Sequence, residues 1–113
     1  MENPVHIGLL FTLIGLLFVA VGIPLKQGAV PPNYWYGFRT RKTLSDKEIW
    51  YAINRVTGID MIRIGIILGV ASTVMISLRN WLSLEAIAMI LTAVMLLSVA
   101  YMAIHGFSLL RRM

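Results

Sequence analysis

The chain has 113 residues, of which 58% are hydrophobic and 13% are charged, and its net charge is +5. About a quarter of the residues in soluble domains are charged, so this composition excludes an ordinary soluble domain and indicates an integral membrane protein. Cysteine is absent, which excludes disulfides and thiolate chemistry. Because the basic residues flank apolar runs, attraction to anionic lipid explains the charge, and no nucleic-acid partner is expected.

The first predicted transmembrane span covers about residues 5–25. It is longer than the apolar core of a signal peptide, which has about 7–15 residues, and no basic segment precedes it, so we expect a retained helix. Gly8, Gly15 and Gly22 recur at heptad spacing and would let another helix backbone approach closely. That stripe can serve packing within the chain, which is the simpler account, or a homo-oligomer.

Residues 26–61 form a predicted cytoplasmic loop that holds most of the charge and most of the Tyr and Trp. Ser45 and Glu48 have the spacing of a capping box, and Gly58 is typical of a helix end. We therefore predict an amphipathic helix over about residues 46–57. Its apolar arc favours a position flat in the membrane interface, with Trp50 as an anchor. Gly37 is expected to permit a turn or a close backbone contact.

Two further spans are predicted, at about residues 62–78 and 84–110, with a short turn between them. Asp60 is expected to cap the first of these and to face Arg63, and Ser83 to cap the second, with Glu85 in its first turn. Each span carries a stripe of small residues that favours a compact bundle: Gly65, Gly69 and Ser72 in one, and Ala86, Ala93 and Ala100 in the other. The predicted fold is an all-α integral membrane protein with one domain, three transmembrane helices and a short amphipathic interfacial helix in the first loop.

The distribution of Lys and Arg predicts the orientation. The first loop and the C-terminal tail are rich in basic residues, whereas the opposite side has Arg79 and the N-terminal amine. By the positive-inside rule, the N-terminus is expected outside, and the loop and C-terminus in the cytoplasm.

The sequence offers little for catalysis. We expect no ionisable group at mid-membrane depth, since Arg63, Glu85, His6 and His105 are placed near helix ends. His105 is either a pH-sensitive group or ligand, or a structural residue. The two histidines lie on opposite sides in this topology and cannot share a metal. We therefore expect no enzyme, no metal site and no cofactor.

The loop contains a cluster of side chains suited to recognition. Arg39 offers a planar set of donors for a carboxylate or phosphate, and the amides and hydroxyls nearby can bond either partner. The polar members are Asn33, Arg39, Thr40, Thr43 and Asn54, and the aromatic members are Tyr34, Trp35, Tyr36 and Trp50. This cluster either recognises a headgroup, peptide or partner protein, or forms an interfacial aromatic belt with cations that reach lipid phosphates.

The same residues resemble the N-x-x-x-G-x-R-T … T-L … W … N-x-x-x-G signature of the SdpI family of bacterial immunity membrane proteins. The matching runs are Asn33–Thr40, Thr43–Ser45, and Trp50, Asn54 and Gly58. The resemblance implies binding residues Asn33, Arg39, Thr40, Thr43, Trp50 and Asn54, with Gly37 and Gly58 as backbone hinges. It implies that Arg39 binds an anionic group or ties the loop to a carbonyl, that Trp50 anchors the short helix and that Asn54 links loop and helix. The alternative is that these residues bind no ligand and form a self-stabilised inner cap on the three-helix bundle.

The resemblance further implies a multi-pass protein of the bacterial inner membrane that protects the cell against a toxic peptide by recognition. The expected partners are membrane lipids, a toxic peptide or a regulatory protein, and a homo-oligomer formed through Gly8, Gly15 and Gly22. The alternatives are a small oligomeric transporter or channel subunit, and an accessory scaffold subunit of a membrane complex.

Overall fold

The computed structural model describes residues 4–113, which form helices and loops without a strand. The helices are α1 (Pro4–Lys26), α2 (Arg41–Ser45), α3 (Lys47–Ser77) and α4 (Leu84–Arg111). Three of them, α1, α3 and α4, are long and apolar enough to cross a membrane. The predicted fold class is confirmed, and the short helix in the first loop is α2. The N-terminal amine, which entered the charge count above, lies outside the described residues.

Helices α1 and α3 run antiparallel and pack through glycines at heptad spacing. A Cβ atom added at Gly15 would lie 2.6 Å from the carbonyl oxygen of Gly65, and one added at Gly22 would lie 2.6 Å from that of Gly58. The backbones can approach this closely only because no side chain stands between them. The predicted glycine stripe of the first span therefore packs against α3 within one chain.

Helix α4 completes the bundle by packing against both other spans. The buried core consists of Phe11, Ile64, Leu68, Ile87 and Leu91. Ser83 caps α4 by accepting a hydrogen bond from the backbone N–H of Ala86 at 3.1 Å, and Glu85 lies in the first turn, both as predicted. Large apolar side chains such as Leu16 and Leu97 remain exposed, as expected for a surface covered by lipid.

Helix α3 is continuous, whereas the sequence predicted separate segments at about residues 46–57 and 62–78. Gly58 does not end a helix but lies buried inside α3. A glycine costs a helix about 1 kcal/mol relative to alanine, but here it permits the close contact with α1 at Gly22. Since its buried face continues on both sides of Gly58, α3 runs through the bundle, and its first turns do not lie flat in an interface.

The predicted capping box of Ser45 and Glu48 is wrong. Ser45 is the last residue of α2, and its hydroxyl donates to the carbonyl of Lys42 at 3.0 Å. Asp46 instead caps α3, because its Oδ1 atom accepts from the backbone N–H of Glu48 at 2.9 Å and of Ile49 at 3.4 Å. A carboxylate at this position also complements the positive end of the helix dipole.

The small-residue stripes predicted on the later spans are partly corrected. Gly69 has no neighbouring atom within 4 Å of an added Cβ, and Ala93 and Ala100 are exposed. On α3 the stripe consists of Gly58, Gly65 and Ser72, which keep the same heptad spacing as the glycines of α1. Helix α4 packs mainly through large apolar side chains, and Ala93 and Ala100 face away from the bundle.

Candidate functional site

The recognition cluster of the sequence forms a folded cap at one end of the bundle. We define the cap as loop residues 29–40, α2, and the first turns of α3 to residue 57. Its centre is Asn54, of which 2% is exposed. The Oδ1 atom of Asn54 accepts from the backbone N–H of Phe38 at 2.5 Å, and its Nδ2 atom donates to the carbonyls of Trp50 at 3.0 Å and Phe38 at 3.4 Å. Asn54 thus holds both backbone groups of Phe38 and links the loop to α3, as predicted.

Gly37 lets the loop approach Asn54. Its φ angle is +112°, a region that L residues other than glycine rarely adopt. An added Cβ would lie 2.6 Å from Oδ1 of Asn54 and 3.2 Å from the Trp50 ring. The expected close backbone contact is therefore present, while a hinge motion at Gly37 stays a prediction.

Trp50 is fully buried inside the cap, so its predicted role as an anchor in the membrane interface is wrong. Its indole N–H donates to the carbonyl of Val30 at 2.8 Å and fastens the start of the loop. Burial of the ring is favoured because this one hydrogen bond satisfies the only polar group of the side chain.

The remaining polar residues of the cluster shape the loop. Asn33 accepts from the backbone N–H groups of Trp35 at 2.8 Å and Tyr36 at 2.7 Å, which closes a turn. The guanidinium of Arg39 donates to the carbonyl of Tyr34 across that turn. Arg39 itself is exposed. It therefore ties the loop to a carbonyl, one of its two predicted roles, and still faces solvent.

Thr40 and Thr43 form a capping box at the start of α2. The backbone N–H of Thr40 donates to Oγ1 of Thr43 at 2.7 Å, and that of Thr43 donates to Oγ1 of Thr40 at 3.1 Å. Within α2, Lys42 donates to the carbonyl of Leu110 at 2.8 Å. A cation at the C-terminal end of α4 also complements the helix dipole there. This bond fixes the cap to the end of α4.

Aromatic side chains dock the cap onto the spans. Phe38 covers Gly106 of α4, where an added Cβ would lie 2.6 Å from the ring, and packs edge-on against Phe107 at 5.0 Å between ring centroids. The hydroxyl of Tyr36 donates to the carbonyl of Val21 in α1. Burial raises the pKa of Tyr36 above its ordinary value.

A second polar feature lies deeper in the bundle. The Oδ2 atom of Asp60 is 2.7 Å from Nδ1 of His105, which joins α3 to α4. Asp60 is 2% exposed, and its Oδ1 atom is buried without a partner among the described residues. The predicted helix cap at Asp60 is wrong, because α3 starts at Lys47 and Asp60 lies well inside it. His105 is accordingly a paired residue and not an isolated one.

A family model for the SdpI/YfhL protein family matches residues 29–104. The chain belongs to this family. The matched segment contains the whole cap, all of α3 and most of α4, whereas α1 lies entirely outside it. No curated protein and no solved structure was found to match the chain. Membership of the SdpI/YfhL family and the apolar helices together indicate a multi-pass membrane protein.

Within the SdpI/YfhL segment, the predicted site residues lie in several parts of the cap and the bundle and do not form one group. Asn54, Trp50 and Gly37 are in direct contact, while Asn33 and Arg39 stabilise the adjacent turn. Thr40 and Thr43 start α2, and Gly58 belongs to the seam between α1 and α3. Most of these side chains hold the cap together, and the polar groups of Thr43, Trp50 and Asn54 are buried and already hydrogen-bonded within the cap.

The exposed face of the cap is formed by other members of the cluster. Trp35 is 89% exposed and Tyr34 is 74% exposed, and Arg39 lies beside them in the same turn. Such aromatic and guanidinium groups are enriched where proteins bind partners. The sequence pattern does not distinguish the exposed side chains from the buried ones, because their alternation arises from the irregular conformation of the loop.

The sequence contained a signal for Asp60 that was missed. Asp60 follows Thr57 and precedes Ile64 at helical spacing, so it belongs to the buried face if α3 is treated as continuous. Arg63 is two residues from Gly65, which packs against Gly15 at the middle of α1. The expectation that ionisable groups lie only near helix ends is therefore wrong for Asp60 and Arg63.

Proposed function

We propose that the protein is an SdpI-type immunity protein of the bacterial inner membrane, which protects the cell against a toxic peptide by recognition and without chemistry. The observation that carries this proposal is that the buried side chains of the cap hold its backbone, whereas other side chains remain exposed for binding. Buried Asn54 and Trp50 hold the backbone of the loop, and Tyr34, Trp35 and Arg39 lie exposed on a turn closed by hydrogen bonds. A preordered aromatic and cationic surface loses little conformational entropy when it binds a peptide.

In the proposed orientation the N-terminus is outside, and the cap and C-terminus are in the cytoplasm. The contact between Lys42 and Leu110 supports this, because it brings the basic residues of the cap and those of the tail to one end of the bundle. Arg79 lies in the turn at the opposite end. The cap would then meet a peptide that has entered the membrane, or a regulatory protein, at the inner surface.

The orientation is tested by cysteine labelling, since the chain contains no cysteine of its own. In intact cells, a membrane-impermeant maleimide should label Arg79→Cys and leave Arg41→Cys unlabelled until the cells are opened. Both positions are exposed, so accessibility of the side chain does not differ between them. Labelling of Arg41→Cys from outside would overturn the proposed orientation.

The immunity role is tested by survival. Bacteria sensitive to membrane-active peptides, expressing the chain or an empty vector, are challenged with a panel of secreted toxic peptides. We expect wild type to raise survival against at least one peptide, and Arg39→Ala to abolish this at an equal amount of protein in the membrane. Arg79→Ala, which removes the same charge at the other end of the bundle, should protect like wild type. Absence of protection by wild type across the panel would remove the immunity proposal.

The alternative of an oligomeric transporter or channel subunit has less support. Its proposed contact used the stripe of Gly8, Gly15 and Gly22, and α3 covers these glycines within one chain. An oligomer through this stripe would require α1 and α3 to separate first.

A further inference from the structure

A cavity of about 350 Å³ opens between α3 and α4, away from the exposed face of the cap. Its polar lining is contributed by Asp60, Arg63, Ser98 and Tyr101, and its apolar lining by Ile64, Ile67 and Leu97. Ile67 is 48% exposed and Leu97 is 72% exposed. Since these two apolar residues face outward from the bundle, the cavity opens toward the lipid.

Both charged groups in this cavity have unused bonding capacity. Asp60 uses Oδ2 for His105, and Oδ1 is buried without a partner among residues 4–113. Within the same part of the chain, Arg63 makes neither a hydrogen bond nor an ion pair. A buried carboxylate oxygen without a donor is costly, and so is an unpaired guanidinium beside hydrocarbon.

The depth of the two groups limits what can satisfy them. Asp60 and Arg63 lie within the length of the bundle that α1 spans, because Gly65 packs against the middle of α1. Side chains on a helix point toward its N-terminus, so Arg63 extends from this level toward the cap. A ligand that reaches both groups must therefore enter from the lipid side with an apolar portion below its polar head.

We propose that this cavity binds a zwitterionic aminophospholipid. Its primary ammonium would donate to Oδ1 of Asp60, its phosphodiester would accept from the guanidinium of Arg63, and its acyl chains would lie along Ile67 and Leu97. The i,i+3 spacing places the carboxylate and the guanidinium on one face of α3, so their charges complement the two opposite charges of the headgroup. The bound lipid would fill the cavity between α3 and α4 on the side that faces the membrane.

The cavity is expected to prefer a lipid with a primary ammonium group over one with a quaternary ammonium group. Phosphatidylethanolamine has N–H donors for Oδ1 of Asp60, whereas phosphatidylcholine has none and keeps the same net charge. One charge-assisted hydrogen bond corresponds to a preference of about tenfold. Ser98 lies on the cavity wall, and a larger side chain there would obstruct the cavity without touching either charged group.

The test reconstitutes the full chain into nanodiscs of equal parts phosphatidylethanolamine and phosphatidylcholine, followed by detergent exchange and mass spectrometry of the retained lipid. Wild type should retain phosphatidylethanolamine with about tenfold preference. Asp60→Asn should lose the preference, Arg63→Gln should lower retention of both lipids, and Ser98→Leu should retain little of either. The matched controls Glu85→Gln and Arg79→Gln, at the opposite end of the bundle, should behave like wild type.

Equal retention of the two lipids by wild type would overturn the proposal, and that measurement does not depend on any variant folding. Unchanged preference in Asp60→Asn with a wild-type circular dichroism spectrum would also overturn it. The outcome is independent of the immunity test, because the experiment contains no toxic peptide and uses no residue on the exposed face of the cap.

Discussion

At the residue scale, the cap depends on one buried amide. Asn54 exchanges hydrogen bonds with both backbone groups of Phe38 and with the carbonyl of Trp50. These groups are buried or half-buried, so water cannot easily replace the side chain. The conformation of the loop, including the unusual φ angle of Gly37, is therefore stabilised from α3.

Asn54→Ala should loosen the cap. It leaves the N–H and C=O of Phe38 without partners, which we expect to cost about 2 to 4 kcal/mol of unfolding free energy. Denaturant titration in detergent micelles measures this cost, and limited proteolysis should show faster cleavage within residues 29–40. Asn80→Ala, at an exposed amide in the turn before α4, is the matched control and should change neither quantity. A stable, protease-resistant Asn54→Ala protein would contradict the role assigned to Asn54.

Tyr36 gives the cap a dependence on alkaline pH. Its pKa is raised by burial, so the folded state favours the neutral phenol relative to the unfolded chain. This contribution to stability is fully present below the unfolded pKa of 10.0 and is lost as pH rises through the folded pKa. Ionisation would also remove the proton donated to Val21.

We therefore expect wild type to lose more stability than Tyr36→Phe when the pH is raised above 10.0. Thermal melts of both proteins at matched pH values measure the difference, and other titrating groups cancel in the comparison. Parallel pH profiles for the two proteins would show that Tyr36 has no such effect.

At the element scale, the close contact between α1 and α3 is the main stabilising interface of the bundle. Gly15 faces Gly65 and Gly22 faces Gly58, and a Cβ atom added at any of these four positions would overlap the facing backbone. Helix association inside a membrane depends on such close packing, because hydrocarbon offers no hydrophobic driving force between helices.

Gly65→Ala should destabilise the fold by about 2 kcal/mol, since its Cβ would overlap the carbonyl oxygen of Gly15. Gly69→Ala is a control on the same helix, with open space around the added methyl group. It should leave stability unchanged or raise it by up to about 1 kcal/mol, because alanine favours helix. Unfolding of both variants in micelles gives the comparison, and equal effects would contradict the assigned seam.

The elements also show how far the sequence could predict the structure. The three apolar runs and the heptad of Gly8, Gly15 and Gly22 were sufficient for the spans and for one helix interface. The same patterns were not sufficient to predict that α3 continues through Gly58, because local propensity alone places a glycine at a helix end. Tertiary contact with Gly22 reverses that preference, and this contact cannot be inferred without the partner helix.

The sequence indicated which residues make up the cap, but it did not indicate which of them are buried and which are exposed. The sequence correctly assigned Asn54 to a link between loop and helix, but placed Trp50 at the membrane surface, where an amphipathic helix would put it. The bond from Trp50 to Val30 spans an irregular loop whose path no periodic pattern describes. The pair of Asp60 and His105 was missed for the same reason as the continuity of α3.

At the scale of the whole molecule, the bundle serves as a support for the cap. The loop of the cap is bonded to α1 through Tyr36 and to α3 through Asn54, and α2 is bonded to α4 through Lys42. Contact with all three spans leaves one turn, at Tyr34, Trp35 and Arg39, directed away from the bundle. Under the proposed function, this turn is where the toxic peptide or the regulatory protein should bind.

The most direct measurement is survival under toxic peptide of cells that carry the double variant Trp35→Ala, Arg39→Ala. Trp35 is 89% exposed, so its removal costs little packing. Removal of Arg39 breaks its bond to the carbonyl of Tyr34, but Asn33 and Asn54 keep their bonds to the loop, so we expect limited proteolysis to show an intact cap. The account predicts that the double variant is present in the membrane at the wild-type amount and gives no protection. Full protection by this variant would contradict recognition through the exposed face of the cap.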